Sequence, residues 1–279
     1  MPYESEWKLN LQRIRFAFRA FGLHLAISVA IALLGAMLVF VLWFPEPYAA
    51  MVGGLELFEI LLAVDIACGP LLTLVVFTPA KSHKELMLDL TLIAVLQLCA
   101  FGYGVQTMWH ARPVYLAYEV DRFFVITHAN IHPDDWAVAP SDVPRPGWTG
   151  PRMLAVHVAQ PSDADYLAQV QISLNGLDAA YRPDRWMPYE QAASQLKARA
   201  QPLEALYKLH PNAGLLIDRG VHKTGRPNGQ LRWLPVQTKK GADWIGLIDI
   251  ENLNVLGYLP LNGFQDGLLE NGSVYLGDG

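Results

Sequence analysis

The feature that most constrains this chain is a run of 22 residues, 23–44, that contains no Asp, Glu, Lys or Arg. At about 1.5 Å per residue, a helix of that length covers roughly 33 Å, which is enough to cross a bilayer core of about 30 Å. Two more apolar stretches follow at 55–77 and 86–108. A cleaved signal sequence has a shorter apolar core nearer the N-terminus. We therefore predict three membrane-spanning helices.

The rest of the chain has a different composition. No comparable apolar run follows residue 112, although apolar residues make up 52% of the whole chain and charged residues only 17%. We predict a basic cytoplasmic segment at 1–22, a membrane region at 23–112 and a water-soluble domain at 113–279. The net charge of −5 disfavours a nucleic-acid partner, which calls for a basic surface. Two cysteines are too few for a disulfide scaffold.

The distribution of Lys and Arg predicts the orientation, because loops retained in the cytoplasm are enriched in these residues. Six of them flank the predicted spans on one side: Lys8, Arg13, Arg15, Arg19, Lys81 and Lys84. The connection at 45–54 has none, and Arg112 is the one exception on the opposite side. The N-terminus is therefore predicted to be cytoplasmic, and the C-terminal domain periplasmic, in a protein of the bacterial inner membrane.

The segment before the first span carries a regular apolar pattern. Its apolar residues recur at steps of four and three: Trp7, Leu11, Ile14, Phe18 and Phe21. This pattern is typical of an amphipathic helix at a membrane surface, with basic residues near the lipid headgroups. A plain helical extension of the first span explains it equally well, and both interpretations stay open.

Acidic residues inside the second span need partners, because ionisable groups in a membrane usually face protein or water. Glu56 and Glu59 are three positions apart and share one face, whereas Asp65 lies on the opposite side of the helix. A helix with polar groups on two faces should pack between neighbours. Gly53 and Gly54 allow a tight turn before this span, and Gly69-Pro70 should kink it.

Depth counting along the three predicted helices suggests three polar pairs. These are Asp65 with Gln97, Glu59 with Tyr103, and His24 with Asp89. Two interpretations remain open for them. The pairs form structural hydrogen bonds between helices, or part of the acidic helix contacts a partner's transmembrane segment.

The C-terminal domain is predicted to contain both strands and helices. Residues 114–120 and 123–127 predict a β-hairpin, and the proline-rich stretch 131–152 predicts a long loop. The further predicted elements are strands at 153–159, 231–238, 244–250 and 255–259 and helices at about 161–174 and 188–209. We predict a periplasmic α+β domain with a mostly antiparallel sheet.

Three patterns could carry chemistry, and none has the geometry that the chemistry needs. Asp65 and Asp89 lie at depths about 13 Å apart, too far for an aspartyl protease pair. Cys68 and Cys99 sit inside apolar spans and form no C-x-x-C motif. A third group lacks metal-ligand spacing: His128, His132, Asp134 and Asp135. We expect no enzyme activity, no metal and no cofactor.

A set of residues across 53–123 carries a family resemblance. It comprises Gly53-Gly54-Leu55-Glu56-Leu57-Phe58, Val64-Asp65, Gly69-Pro70 with the following residues to Phe77, Lys84, Asp89-Leu90, Gln97, Tyr103-Gly104, Arg112-Pro113-Val114-Tyr115 and Asp121-Arg122-Phe123. In order and spacing this set resembles the type IV pilin accessory protein family (TfpX/TfpZ type). The resemblance is dense over residues 20–130 and rests on domain layout after that.

The resemblance implies an inner-membrane accessory, chaperone-like protein that assists assembly of a cognate type IV pilin into pili. The implied partners are the major pilin, other pilus-assembly proteins and membrane lipid. The candidate partner-binding or structural motif comprises Gly53, Gly54, Glu56, Glu59, Asp65, Gly69, Pro70, Asp89, Gln97, Tyr103, Arg112, Pro113, Asp121 and Arg122. The alternative is a structural or sensory subunit of another inner-membrane complex.

Overall fold

The chain divides into two compact units, Met1–Ala111 and Arg112–Gly279, in the computed structural model. The structure describes residues 2–65, 69–76, 81–159, 161–164, 166–174, 178–239 and 241–264. Each unit has its own apolar core. We describe them in turn.

In its described part, the first unit contains helices joined by short turns, and no strand. Its α-helices are α1 (Pro2–Met37), α2 (Tyr48–Val52), α3 (Gly54–Ala63), α4 (Gly69–Val76) and α5 (His83–Ala111). A π-helix at Leu38–Trp43 continues α1 without interruption. Helix α1 packs against α4, and α5 packs against both α3 and α4.

Within the described part of the chain, two helical segments are long and apolar enough to cross a membrane, Arg15–Trp43 and Lys84–Ala111. The first extends further toward the N-terminus than the charge-free run 23–44 indicates. Arg15 and Arg19 lie within the continuous helix, and long basic side chains can reach the interface from a helix end. The predicted second span is helical over Gly54–Ala63 and Gly69–Val76, while residues 66–68 lie outside the described part.

The second unit is built on one sheet of eight strands in the described residues. The strands are β1 (Pro113–Glu119), β2 (Arg122–Thr127), β3 (Arg152–Val156), β4 (Trp186–Met187), β5 (Gln201–Pro202), β6 (Leu231–Thr238), β7 (Gly241–Asp249) and β8 (Val255–Leu259). They lie in the order β4-β3-β1-β2-β6-β7-β8, and β5 pairs with β6. Its helices are α6 (Tyr166–Leu174), α7 (Ala193–Arg199), α8 (Leu203–Leu209) and α9 (Gly214–Thr224).

The sheet is mixed. The predicted hairpin forms, with Leu116 opposite Val125. However, β3 lies parallel to β1, and β6 lies parallel to β2. The other strand pairs are antiparallel. Parallel neighbours come from long connections, such as the segment 128–151 between β2 and β3, and strand patterning does not reveal where such a segment leads.

The helical part of this unit differs from the prediction in two places. The single helix predicted at 188–209 is divided into α7 and α8 by Gln201–Pro202, which pairs with β6. A residue before proline is driven toward extended backbone, which explains the break. The sequence prediction also lacks α9. Its Gly220 lies so close to β8 that an added Cβ would stand 2.5 Å from Leu259 Cδ2.

One ionisable side chain helps join the sheet to its surroundings. Glu119, at the end of β1, accepts a hydrogen bond from the backbone N–H of Ala180 at 2.8 Å. It thereby ties the turn Ala179–Tyr181 to the strand. Burial raises the pKa of the Glu119 carboxyl to about 7, although the amide hydrogen bond and Arg122 act in the opposite direction.

We expect Glu119→Gln to remove part of the pH dependence of stability. Between its ordinary pKa of 4.5 and about 7, Glu119 keeps a proton in the folded chain that the unfolded chain releases. The wild-type free energy of unfolding should therefore fall as pH rises through this window, by up to about 3 kcal/mol, and level off above it. Glutamine keeps the acceptor oxygen and avoids this loss. Urea unfolding of the full-length protein in detergent at pH 5 and pH 8 measures the difference.

The matched control is Glu190→Gln, because Glu190 is exposed in the same unit. Its stability profile should follow that of the wild type. Parallel profiles for the wild type and Glu119→Gln would contradict the raised pKa.

Candidate functional site

The predicted motif residues begin at a tight turn before α3. Gly53 has a left-handed backbone conformation, with φ of 79°, and its N–H donates to the carbonyl of Ala49. A Cβ on Gly54 would lie 2.7 Å from Cδ1 of Phe44. The turn thus needs glycine at both positions, for conformational freedom at the first and for space at the second.

A polar cluster lies between the long helices. His24 Nε2 is 2.6 Å from Gln97 Oε1, and His24 Nδ1 is 2.6 Å from Thr73 Oγ1. The amide nitrogen of Gln97 donates to the backbone carbonyl of Asp65 at 3.1 Å. Thr73 is buried, and its hydroxyl oxygen also lies 3.1 Å from the carbonyl oxygen of Gly69, so its one proton points to either this carbonyl or His24 Nδ1. We call His24, Asp65, Gly69, Thr73 and Gln97 the central polar cluster.

The donors and acceptors in the central polar cluster complement one another. A neutral His24 ring with its proton on Nε2 donates to Gln97 Oε1 and accepts the Thr73 hydroxyl at Nδ1. The carbonyl of Asp65 accepts the opposite end of the Gln97 amide. One amide thereby joins α1 to the segment between α3 and α4. Such hydrogen bonds hold helices together where lipid offers no polar partner.

The structure corrects the predicted pairing of His24 with Asp89. His24 lies level with Gln97, while Asp89 forms an ion pair with Lys81 at 2.6 Å. The prediction placed His24 at the membrane edge because it counted depth from residue 23. The apolar helix begins near Arg15, so His24 lies further inside the apolar segment than that count assumed.

The predicted pair of Asp65 and Gln97 does come together, but through the backbone. Gln97 contacts the carbonyl oxygen of Asp65, and not its carboxyl group. Asp65 is 9% exposed, and its Oδ1 is buried without a hydrogen-bond donor in the described part of the chain. This carboxyl group therefore remains the unsatisfied polar feature beside the cluster.

Other motif residues lie on the surface of the helices. Glu56 and Glu59 are exposed on α3, and Tyr103 is 74% exposed on α5. Their partnership therefore stays a prediction. Pro70 is the second residue of α4, a position where a missing N–H breaks no helical hydrogen bond. The predicted kink at Gly69-Pro70 involves residues 66–68, outside the described part.

Glycine permits the close approach of the helices at the central polar cluster. A Cβ on Gly69 would lie only 1.8 Å from Nε2 of Gln97. On α5, a Cβ on Gly104 would lie 2.1 Å from Cδ1 of Leu61. These two glycines allow α5 to approach α3 and α4 closely.

The motif residues after α5 belong to the second unit and lie at opposite ends of the β1–β2 hairpin. Pro113 begins β1, and the carbonyl of Arg112 accepts the N–H of His128. The Arg112 side chain is buried, which lowers its pKa to about 10 and leaves it cationic at neutral pH. At the far end, roughly 20 Å along β1, Asp121 pairs with Arg122 at 2.8 Å.

Arg122 has a structural role in the sheet. Its Nη1 donates to Gln237 Oε1 on β6 at 3.1 Å, and its guanidinium lies 4.3 Å from the centre of the Phe264 ring. It therefore reinforces the parallel pairing of β2 with β6. The motif residues thus fall into separate groups within each unit: the turn, the central polar cluster and the helix surface in the first unit, and the two ends of the hairpin in the second.

Sequence reasoning missed Thr73 as a cluster member. Threonine carries no charge, so its presence in an apolar stretch does not point to a polar contact between helices. The signal that could have found Thr73 is its spacing, because it lies one helical turn after Gly69. The residues weighed for metal binding have other contacts. His132 Nδ1 accepts the N–H of Asp134 at 3.4 Å, and the His128 ring lies 5.3 Å from that of Trp136.

We expect Gly69→Ala to disrupt the central polar cluster. The added methyl group would overlap the Gln97 amide, so α4 and α5 must separate or Gln97 must leave Asp65 and His24. The expected loss of stability is about 1–3 kcal/mol. Thermal unfolding of the detergent-solubilised protein measures it.

Gly102→Ala is the matched control, because Gly102 lies on α5, the helix that carries Gln97, and a Cβ there meets no atom within 4 Å. This variant should unfold at or slightly above the wild-type temperature, since alanine favours helix. Equal unfolding temperatures for the Gly69 and Gly102 variants would contradict the close packing at Gly69.

Comparison with known proteins places these features in a family. Residues 12–53, which include most of α1 and the first turn glycine, match the family model described as fimbrial assembly protein FimB. The fimbrial assembly protein of Dichelobacter nodosus serogroup I is 29% identical over 258 residues, covering 92% of this chain and 100% of the relative. No solved structure matches the chain.

A second relative is more similar over a shorter length. The fimbrial assembly protein of Dichelobacter nodosus serogroups C1 and C2 is 38% identical over 127 residues, which is 46% of this chain and 97% of that relative. The serogroup E1 protein matches at 29% identity with the same coverage as the serogroup I protein. The chain therefore belongs to the family of fimbrial assembly proteins.

Proposed function

We propose that this protein is an inner-membrane accessory protein that assists assembly of a cognate type IV pilin into pili. It acts as a chaperone-like factor, and not as an enzyme. The observation that carries the proposal is the match to a fimbrial assembly protein over 92% of the chain. That match spans both units, so the proposed role uses the membrane helices and the C-terminal unit together.

Exposed apolar surface on the long helices supports a membrane location. Leu33 and Leu34 on α1 and Leu88 and Leu98 on α5 are each 66–71% exposed. Such surfaces are stable against lipid tails or against an apolar helix of a partner. A pilin subunit held in the same membrane by its own apolar helix would meet them directly.

The proposed orientation rests on the basic residues. Those near the N-terminus and in the loop before α5 favour the cytoplasmic side. In this orientation the second unit lies in the periplasm. A membrane-bound pilin with a periplasmic head could then contact the helices and the second unit at once.

The separation of Asp65 and Asp89 supports a non-enzymatic role. Gln97 contacts the carbonyl of Asp65, whereas Asp89 lies eight residues earlier on α5, about 12 Å along the axis. Asp89 is engaged by Lys81. The two carboxyl groups therefore cannot share a proton as a protease pair must.

Deletion of the gene, followed by pilin exchange, tests the function. We expect surface pili to be lost while pilin transcription is unchanged, because the defect lies in assembly. Reintroducing this protein should restore pili of its cognate pilin, and pili of a divergent pilin to a lesser extent. Electron microscopy of sheared pili and quantitative transcript measurement are the readouts.

The alternative role as a sensory subunit has a different signature. Changed pilin transcription in the deletion strain, with assembly restored by expressing pilin from an unrelated promoter, would overturn the assembly role. The Gly102→Ala variant serves as the complementation control, because its substitution meets no neighbouring atom.

A further inference from the structure

The second unit contains a cleft at the end of β3 that none of the motif residues line. Its volume is about 350 Å³, and it lies between the end of the strand, the turn Ala179–Tyr181 and α6. Apolar side chains form much of its wall: Val158, Ala159, Val170 and Ala179. Glu119, His157, Tyr166, Gln169 and Arg185 supply its polar groups.

Glu119 is the acidic group of this cleft. Its carboxylate accepts backbone N–H groups of the turn, with Ala180 at 2.8 Å. Backbone donors carry no net charge, so these hydrogen bonds do not neutralise the carboxylate when it ionises. The strand and the turn hold the carboxylate in place at the wall of the cleft.

The charges around Glu119 favour a cation. Asp178 adds to the negative potential at the carboxyl, and Arg122 opposes it. The basic groups of the cleft are already engaged with acids. His157 lies 3.5 Å from Asp163, and Arg185 lies 3.6 Å from Asp184.

The rim of the cleft suits a protein surface. On α6, Leu167 is 80% exposed and Val170 is 36% exposed, next to the lining residues Tyr166 and Gln169. Anchor side chains at protein interfaces bind in desolvated pockets whose surrounding contacts exclude water, and the apolar side chains beside Glu119 could exclude water in this way. The apolar wall fits the methylene stem of a lysine, and Glu119 fits its ammonium head.

We propose that this cleft binds a lysine side chain on the surface of the pilin, with the ammonium group on Glu119 and the stem against Val158, Val170 and Ala179. The assignment rests on the proposed function for the identity of the partner. The raised pKa of Glu119 supports it, since a bound ammonium would bring the carboxyl back to its ionised form. An anionic ligand would instead be repelled by the ionised carboxylate of Glu119.

Zero-length crosslinking tests the contact in membranes that contain both full-length proteins. A water-soluble carbodiimide joins a carboxyl group to an amine as an amide, and takes up the water as a urea. We expect an adduct with pilin whose crosslinked peptide, identified by mass spectrometry, joins Glu119 to a lysine. The yield should fall about tenfold or more in Glu119→Gln, which lacks the acid.

Two further variants separate docking from reactivity. Val170→Trp fills the mouth of the cleft and leaves Glu119 intact, so it should also abolish the adduct. Glu190→Gln removes an exposed carboxyl of the same unit and should leave the yield unchanged. Unfolding temperatures of Val170→Trp and Glu190→Gln equal to that of the wild type, and cooperative unfolding of Glu119→Gln at or above that temperature, show that the fold is retained.

The outcomes distinguish a failure of the cleft assignment from a failure of the proposed assembly role. Absence of a Glu119 adduct in the wild type, or its persistence in Val170→Trp, overturns the cleft assignment. If the deletion strain still loses its pili in that case, the assembly role stands without the cleft. If the deletion strain has unchanged pili, the assembly role is overturned, and so is the lysine contact, which depends on that role.

Discussion

The packing of the first unit depends on the side-chain amide of Gln97. An amide presents a donor and an acceptor at once, and Gln97 uses them toward Asp65 on one side and His24 on the other. Lipid cannot supply either partner, so separating the helices leaves these groups unsatisfied. Gly69 is small because the amide occupies the space that a Cβ would take. The position of α4 against α5 follows from this contact.

In the second unit, the rest of the sheet is built around the hairpin of β1 and β2. It lies in the middle of the sheet and has a parallel neighbour on each side. Arg122 strengthens one of these pairings through Gln237, and Glu119 ties the neighbouring turn to the hairpin. The candidate lysine cleft adjoins this hairpin at the end of β1, where burial raises the pKa of the Glu119 carboxyl.

Sequence patterns were sufficient for the local elements. The hairpin, the strands at 231–238 and 255–259, and the long apolar helices follow from alternation and hydropathy, because these depend on neighbours in the chain. The break in the predicted helix at 188–209 is indicated by Pro202 itself, because the residue before a proline favours extended backbone. The sequence prediction lacks α9, although Ile217 and Val221 recur at four residues on its buried face, because its two glycines disfavour helix. The parallel strand pairs were missed because they depend on where long connections lead.

The sequence by itself determined that this chain has apolar helices long enough for a bilayer followed by a strand-rich unit, and that its motif resembles pilin accessory proteins. Only the tertiary structure decided which polar groups meet. His24 joined Gln97 and Thr73 instead of Asp89, because the helix extends beyond its charge-free run. Glu119 became a desolvated carboxyl in a cleft because the turn at 179–181 folds over the end of its strand. Burial and partnership are properties of packed elements, and a linear pattern does not contain them.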